Sequence, residues 1–200
     1  MPTTRERVIT DISQLDPEGS YTYTDYLLWR FQESVELIRG KIFRMSPAPG
    51  RLHQEVATEL TRQLANYFVG KTCRVYAAPF DVRLPVNRNK EENTTVVRPD
   101  LCVICDHTKL DEHGCAGAPD LIIEILSPGN SHKEMRDKYR VYEEAGVREY
   151  WIVNPIEKLG LVYILNENGV YVGRAPVTTE DPLFSTIFPE LMIDLNKAFQ

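Results

Sequence analysis

"APDLIIEILSPG", residues 118–129, is an apolar run interrupted by one carboxylate, Glu124. The run is short, rich in β-branched side chains, and bounded by Pro119 before it and Pro128-Gly129 after it. That combination predicts a strand covered on both faces, in the middle of a sheet flanked by helices. A carboxylate in such a strand loses its hydration unless a cation or hydrogen-bond donors replace the water. Fold and chemistry therefore turn on what meets Glu124.

After this strand, "NSHKEMRDKYRVYEEAG" (residues 130–146) reads as a helix, with Ser131 and Glu134 spaced as a capping box and Gly146 as its stop. At ~100° per residue, Met135, Tyr139, Tyr142 and Ala145 form one apolar arc. Lys138 falls inside that arc, whereas Arg136, Asp137, Arg140, Glu143 and Glu144 fall opposite. "EYWIVNP" is the next strand, and "GLVYILNENGVYVG" a hairpin turning at Asn168-Gly169. The tail holds a short strand, "LMIDL", and a last turn of helix.

Upstream, "RLHQEVATELTRQLANYFVG" (residues 51–70) is a long helix. Val56, Leu60, Leu64 and Phe68 recur every four residues, and Gly70 fits its end. "CRVYAAPFDVRLP" reads as one strand, "NRNKEENTT" as a polar loop and "TVVRPDLCVIC" as a second strand. The order from Arg51 is α-β-β-β-α-β, an α/β fold with a mixed central sheet flanked by helices. "VELIRGKIFRMS" adds an N-terminal hairpin with Arg39-Gly40 at its turn, after a short helix in "YTYTDYLLWRFQES" capped by Thr24. Residues 1–20 read as a loosely held polar lead-in, and residues 21–200 as one domain without repeat or linker.

The composition is that of a folded domain: 42% of the 200 residues are hydrophobic and 26% charged. A net charge of -6 argues against a protein that coats nucleic acid, because phosphate binding needs Lys and Arg. A nuclease stays open, since metal-binding carboxylates are themselves acidic. The first 36 residues are acidic, but Arg39, Lys41, Arg44 and Arg51 share a stretch without Asp or Glu. No apolar h-region opens the chain and no run approaches the ~20 residues of a membrane span. The expected compartment is the cytoplasm, with the four cysteines reduced.

Three charged residues break structural rules: Glu124, Asp100 after Pro99 at the start of the second strand, and Lys138 on an apolar helix face. Two carboxylates on adjacent strands suit a hard divalent ion such as Mg²⁺ or Mn²⁺, which takes few protein oxygens. A lysine beside them can neutralise charge or orient water. Asp120 is a poor partner for Glu124. Four residues along one strand, at ~3.4 Å each, separate the two by roughly 13 Å. Asp120 is instead the residue that leads into the strand.

At these residues the sequence resembles the PD-(D/E)xK nuclease superfamily, in the order of elements, the Pro-Asp on the second core strand and the Glu in the third. "ELIRGKIFRMSP", "RPDLCVI", "PDLIIEILSP" and "KYRVYEEAGVREYWIVNP" are similar to the bacterial Uma-type family of putative restriction endonucleases, over nearly the whole chain from about residue 21 to 199. The resemblance implies a restriction-endonuclease-like core and a hydrolase that cuts DNA. It implies a metal site of Asp100 and Glu124, helped by the backbone carbonyl of Ile125. One position departs: the lysine expected two residues after Glu124 is Leu126. Lys138, one helix later, is the substitute, and the wheel reaches it independently.

Glu36 resembles an acidic position of the same family, with a salt bridge to an arginine as its structural alternative. His53, near the start of the long helix beside Glu55, is a candidate to hold a phosphate or a metal-bound water, or to cap the helix. Arg39, Lys41, Arg44 and Arg51 are candidates for the DNA backbone, and double-strand cutting suggests a homodimer. The alternative is a catalytically silent nuclease fold that binds DNA or protein. Cys102 and Cys105, with His107, His113 and Cys115 nearby, resemble zinc ligands in spacing. They stand an odd number of residues apart in a strand and so face opposite sides. Phosphate loops of the GxxxxGK and GxGxxG types and the GxSxG elbow are absent from the sequence.

Overall fold

The computed structural model describes residues 8–45, 50–86, 94–128 and 132–200. In chain order the elements are α1 (Tyr23–Tyr26), β1 (Val35–Ile38), β2 (Lys41–Arg44), α2 (Arg51–Phe68), β3 (Arg74–Ala77) and β4 (Val82–Arg83). They continue with β5 (Val96–Val97), β6 (Leu101–Ile104), β7 (Leu110–Asp111), β8 (Gly114–Ala116), β9 (Leu121–Ile125) and α3 (His132–Ala145). The chain closes with β10 (Glu149–Asn154), β11 (Leu159–Leu165), β12 (Tyr171–Gly173), β13 (Leu183–Phe184), β14 (Met192–Ile193) and α4 (Leu195–Ala198).

The main sheet runs β12-β11-β10-β9-β6-β3. Its β9–β10 pair is parallel and the rest are antiparallel, so the sheet is mixed. β9 lies inside it, as the opening stretch predicts. Read as α2, β3, β6, β9, α3, β10, the chain follows the expected α-β-β-β-α-β order. Alternate residues of β9 serve two cores. Leu121, Ile123 and Ile125 pack with Val56, Leu60, Leu64 and Phe68 of α2, while Ile122 packs with Val141 and Tyr142 of α3. That alternation is the period-2 geometry of a strand between two layers.

A second six-stranded sheet, β2-β1-β5-β4-β8-β7, was not anticipated. The stretches read as single strands at 73–85 and 95–105 each divide between the two sheets, at Pro79 and Pro99. A proline has no N–H for the ladder, so pairing stops there and the chain changes sheet. β8 comes so close to β4 that a Cβ on Gly114, at φ +123°, would meet the Asp81 carbonyl oxygen at 2.1 Å. Only glycine fits there.

Both predicted hairpins form, as β1–β2 and β11–β12. At the first turn Arg39 and Gly40 both have positive φ, 52° and 78°, as a two-residue hairpin turn demands. α1 is capped by Thr22, not Thr24: the Thr22 hydroxyl and the Asp25 carboxylate form a reciprocal capping box. Within residues 8–20, Ile12 and Leu15 are buried against Trp29, Val35 and Leu37. Ser131, the cap expected for α3, and most of the polar loop at 87–95 lie outside the described residues.

The cysteines depart from the expectation of four free thiols. Cys73 and Cys105 form a disulfide across the β3–β6 pair, whereas Cys102 and Cys115 are free and buried. Cys102 and Cys105 do face opposite sides: Cys102 belongs to the α3-side core and Cys105 packs against the α2-side core. Among the described residues no helix is long and apolar enough to cross a membrane.

Candidate active site

Glu124 is not bare. Its Oε1 accepts hydrogen bonds from Lys138 Nζ at 3.0 Å and from the Tyr142 hydroxyl at 2.6 Å. Lys138 and Tyr142 stand four residues apart on α3, so one helix face delivers both donors to the strand. Lys138 Nζ also lies 3.0 Å from Glu36 Oε1, which comes from β1 of the second sheet. Glu36 is itself buried, and the same oxygen accepts from the backbone N–H of Arg98 at 2.7 Å. One buried ammonium is thus shared between two carboxylates carried by two sheets.

Asp100 completes the group. The β6–β9 register pairs Leu101 with Ile123, which places Asp100 across from Glu124 one step further on. Asp100 Oδ2 accepts from the Ile125 N–H at 2.7 Å. Its Oδ1 lies 3.2 Å from His53 Nε2, in the first turn of α2. His53 is buried, and its Nδ1 has no hydrogen-bond partner among the described residues. Asp120 is elsewhere, as expected: it accepts from the Cys105 N–H and pairs with Arg148.

Electrostatics follow from this crowding. Burial pushes the Glu124 carboxyl above the ordinary carboxylate range; Lys138 opposes the shift, and Asp100 and Glu36 add to it. Burial alone would drain the Lys138 ammonium, but Glu124 and Glu36 outweigh it and hold its pKa above that of a free lysine. The hydrogen bond to Asp100 raises the His53 pKa, against the opposing effect of burial. Glu124 and Glu36 share the Lys138 ammonium, and Asp100 faces His53; carboxylates crowded in this way are of the kind a divalent cation offsets.

The donor chemistry fits such an ion. Asp100, Glu124 and the Ile125 carbonyl are hard oxygen donors at the end of adjacent strands, and Mg²⁺ needs few protein ligands. Among the described residues no group of three or more His, Cys, Asp or Glu side chains is arranged to hold a metal ion. Asp100 and Glu124 supply two carboxylates, and Mg²⁺ ordinarily completes its shell with water.

His53 and Asp100 line a cleft of ≈ 570 Å³ along α2, with Met45, Thr58, Arg62 and Pro79 among its walls. The four basic candidates do not converge on it. Arg39 pairs with Glu144, Lys41 donates to the Glu18 and Gly19 carbonyls, and both line a separate hollow beside Asp137 and Arg140. Arg44 is exposed beside Met45, and Arg51 is exposed two residues before His53 and paired with Glu55. Tyr142 escaped sequence reading because it looked like one more apolar arc residue. Its four-residue spacing from Lys138 was the available signal.

A family profile for Uma2, described as putative restriction endonuclease, matches residues 23–196. A protein of Synechocystis sp. described as uncharacterized is 23% identical over 148 residues, 72% of this chain and 74% of its own. A crystal structure of a putative nuclease from Anabaena variabilis superposes with a TM-score of 0.69 at 20% identity, covering 90% of this chain and 97% of its own. That likeness is one of fold, and it agrees with the α-β-β-β-α-β core. With the profile spanning most of its length, the chain belongs to the Uma2 family of putative restriction endonucleases.

Proposed function

We propose that this protein is a metal-dependent endonuclease that hydrolyses DNA phosphodiester bonds. The observation that carries the reading is the cluster of Asp100, Glu124 and Lys138 at one end of the central strands, beside a cleft. Asp100, Glu124 and the Ile125 carbonyl would hold Mg²⁺ or Mn²⁺, which when bound supplies a Lewis acid and an activated water.

The chain's own groups have separable tasks. Lys138 offsets the charge of Glu124 and fixes its direction. Glu36 keeps Lys138 charged and in place, acting through it. His53, on the cleft wall, offers an imidazole to a phosphate oxygen or a water. Hydrolysis bonds the water oxygen to phosphorus and releases one sugar oxygen, so a group beside the cleft must handle a proton at each end. Arg44 and Arg51, exposed beside the cleft residues Met45 and His53, are the candidates placed to hold the backbone, because Arg39 and Lys41 line a separate hollow. Two strands need two such sites, so the reading carries a homodimer with it.

The test is cleavage of supercoiled and linear DNA with Mg²⁺ or Mn²⁺, with wild type beside Asp100→Asn and Lys138→Ala. The reading expects cleavage by wild type and its loss in both variants. A folded wild type that binds DNA and never cuts it would favour a silent binding module instead.

A further inference from the structure

We propose that Tyr142 is a positioning residue for Glu124, presenting the carboxylate to a divalent cation; this rests on the nuclease reading above. The Tyr142 hydroxyl reaches Glu124 Oε1 at 2.6 Å, within the range of a short hydrogen bond to an ionised acceptor. Lys138 Nζ binds the same oxygen. Two donors from one helix therefore hold Oε1, and among the described residues no hydrogen bond reaches Oε2. The carboxylate plane is set by α3, and Oε2 is left for a ligand.

The ring is well fixed for this task. Tyr142 is fully buried, and its ring meets that of Tyr150 edge-on at 5.0 Å. Its neighbours in that core, Val141, Val147 and Ile152, require only an aromatic ring. A phenylalanine would fill the same space, so the hydroxyl is what serves Glu124. Groups that orient metal ligands in this way change metal affinity by about 10–100-fold when removed.

The experiment is calorimetric titration of Mn²⁺ into wild type, Tyr142→Phe and Tyr171→Phe, with thermal melts of each. Tyr171 is the matched control. Its hydroxyl is also buried and bonded, to the Val147 carbonyl at 2.9 Å, away from Glu124. Tyr142→Phe is expected to melt as a folded protein and to bind Mn²⁺ at least about 10-fold more weakly. Its half-saturating Mn²⁺ for cleavage should rise by the same factor, while the rate at saturating Mn²⁺ largely returns. Tyr171→Phe should lose stability and keep wild-type affinity.

A Tyr142→Phe protein with wild-type Mn²⁺ affinity overturns this inference and leaves the nuclease reading standing. Equal weakening in Tyr171→Phe overturns it too, because loss of any buried hydroxyl would then suffice. A wild type that binds no Mn²⁺ overturns both.

Discussion

Lys138 Nζ lies 3.0 Å from Glu124 Oε1, and this ion pair fastens α3 to the central strand β9. Both side chains are largely withdrawn from solvent, 6% and 12% exposed. At that depth, breaking the pair is costly even where replacing it whole would not be.

Replacing Lys138 alone by Met leaves Glu36 and Glu124 facing each other without a cation. Stability should fall by about 3–5 kcal/mol. The double variant Glu36→Gln with Lys138→Met should recover part of that loss, because one of the two stranded charges is gone. Urea denaturation of the four proteins in this cycle measures the coupling, and strict additivity would deny it.

His53 gives the metal-free protein a pH dependence of definite sign. Its pKa in the folded chain is raised by the hydrogen bond to Asp100, from an unfolded value of about 6.5. The stabilisation is therefore complete below about pH 6.5 and is lost as pH rises through the folded pKa. In EDTA, the urea midpoint should fall between pH 6 and pH 9 in wild type and fall less in His53→Asn. Parallel slopes in the two proteins would contradict this.

The Cys73–Cys105 disulfide closes a loop of 32 residues that contains β3, β4, β5 and β6. Chain-entropy arguments give such a closure about 3–4 kcal/mol of stability. A reductant, or Cys73→Ser with Cys105→Ser, should lower the urea midpoint accordingly. An unchanged midpoint on reduction would mean that the bridge contributes nothing.

Much of the core was legible because its signals are local. The four-residue period from Val56 to Phe68 predicts α2, and those four side chains are buried as it requires. The apolar run around Glu124 predicts a central strand, and Lys138 on the apolar face of α3 predicts its partner. The rest depends on contacts distant in sequence. β4 and β5 are two residues each, too short to show a period, and exist through their neighbours in the second sheet. Glu149 at the start of "EYWIVNP" read as an ordinary strand residue. It is fully buried and accepts hydrogen bonds from the Trp151 indole two residues on, and from the Ser185 hydroxyl and the Thr186 N–H, two donors that only the folded tail supplies. Glu36 was ambiguous for the same reason, since Lys138 lies 102 residues away from it in the sequence.

In the proposed reaction Glu124 serves a metal-dependent cut in DNA. The most direct measurement is Mn²⁺-dependent cleavage of supercoiled plasmid by wild type and by Glu124→Gln, with melting curves showing both folded. Wild type should give nicked and linear products and Glu124→Gln none, with EDTA abolishing the wild-type products. Undiminished cleavage by Glu124→Gln would contradict that role.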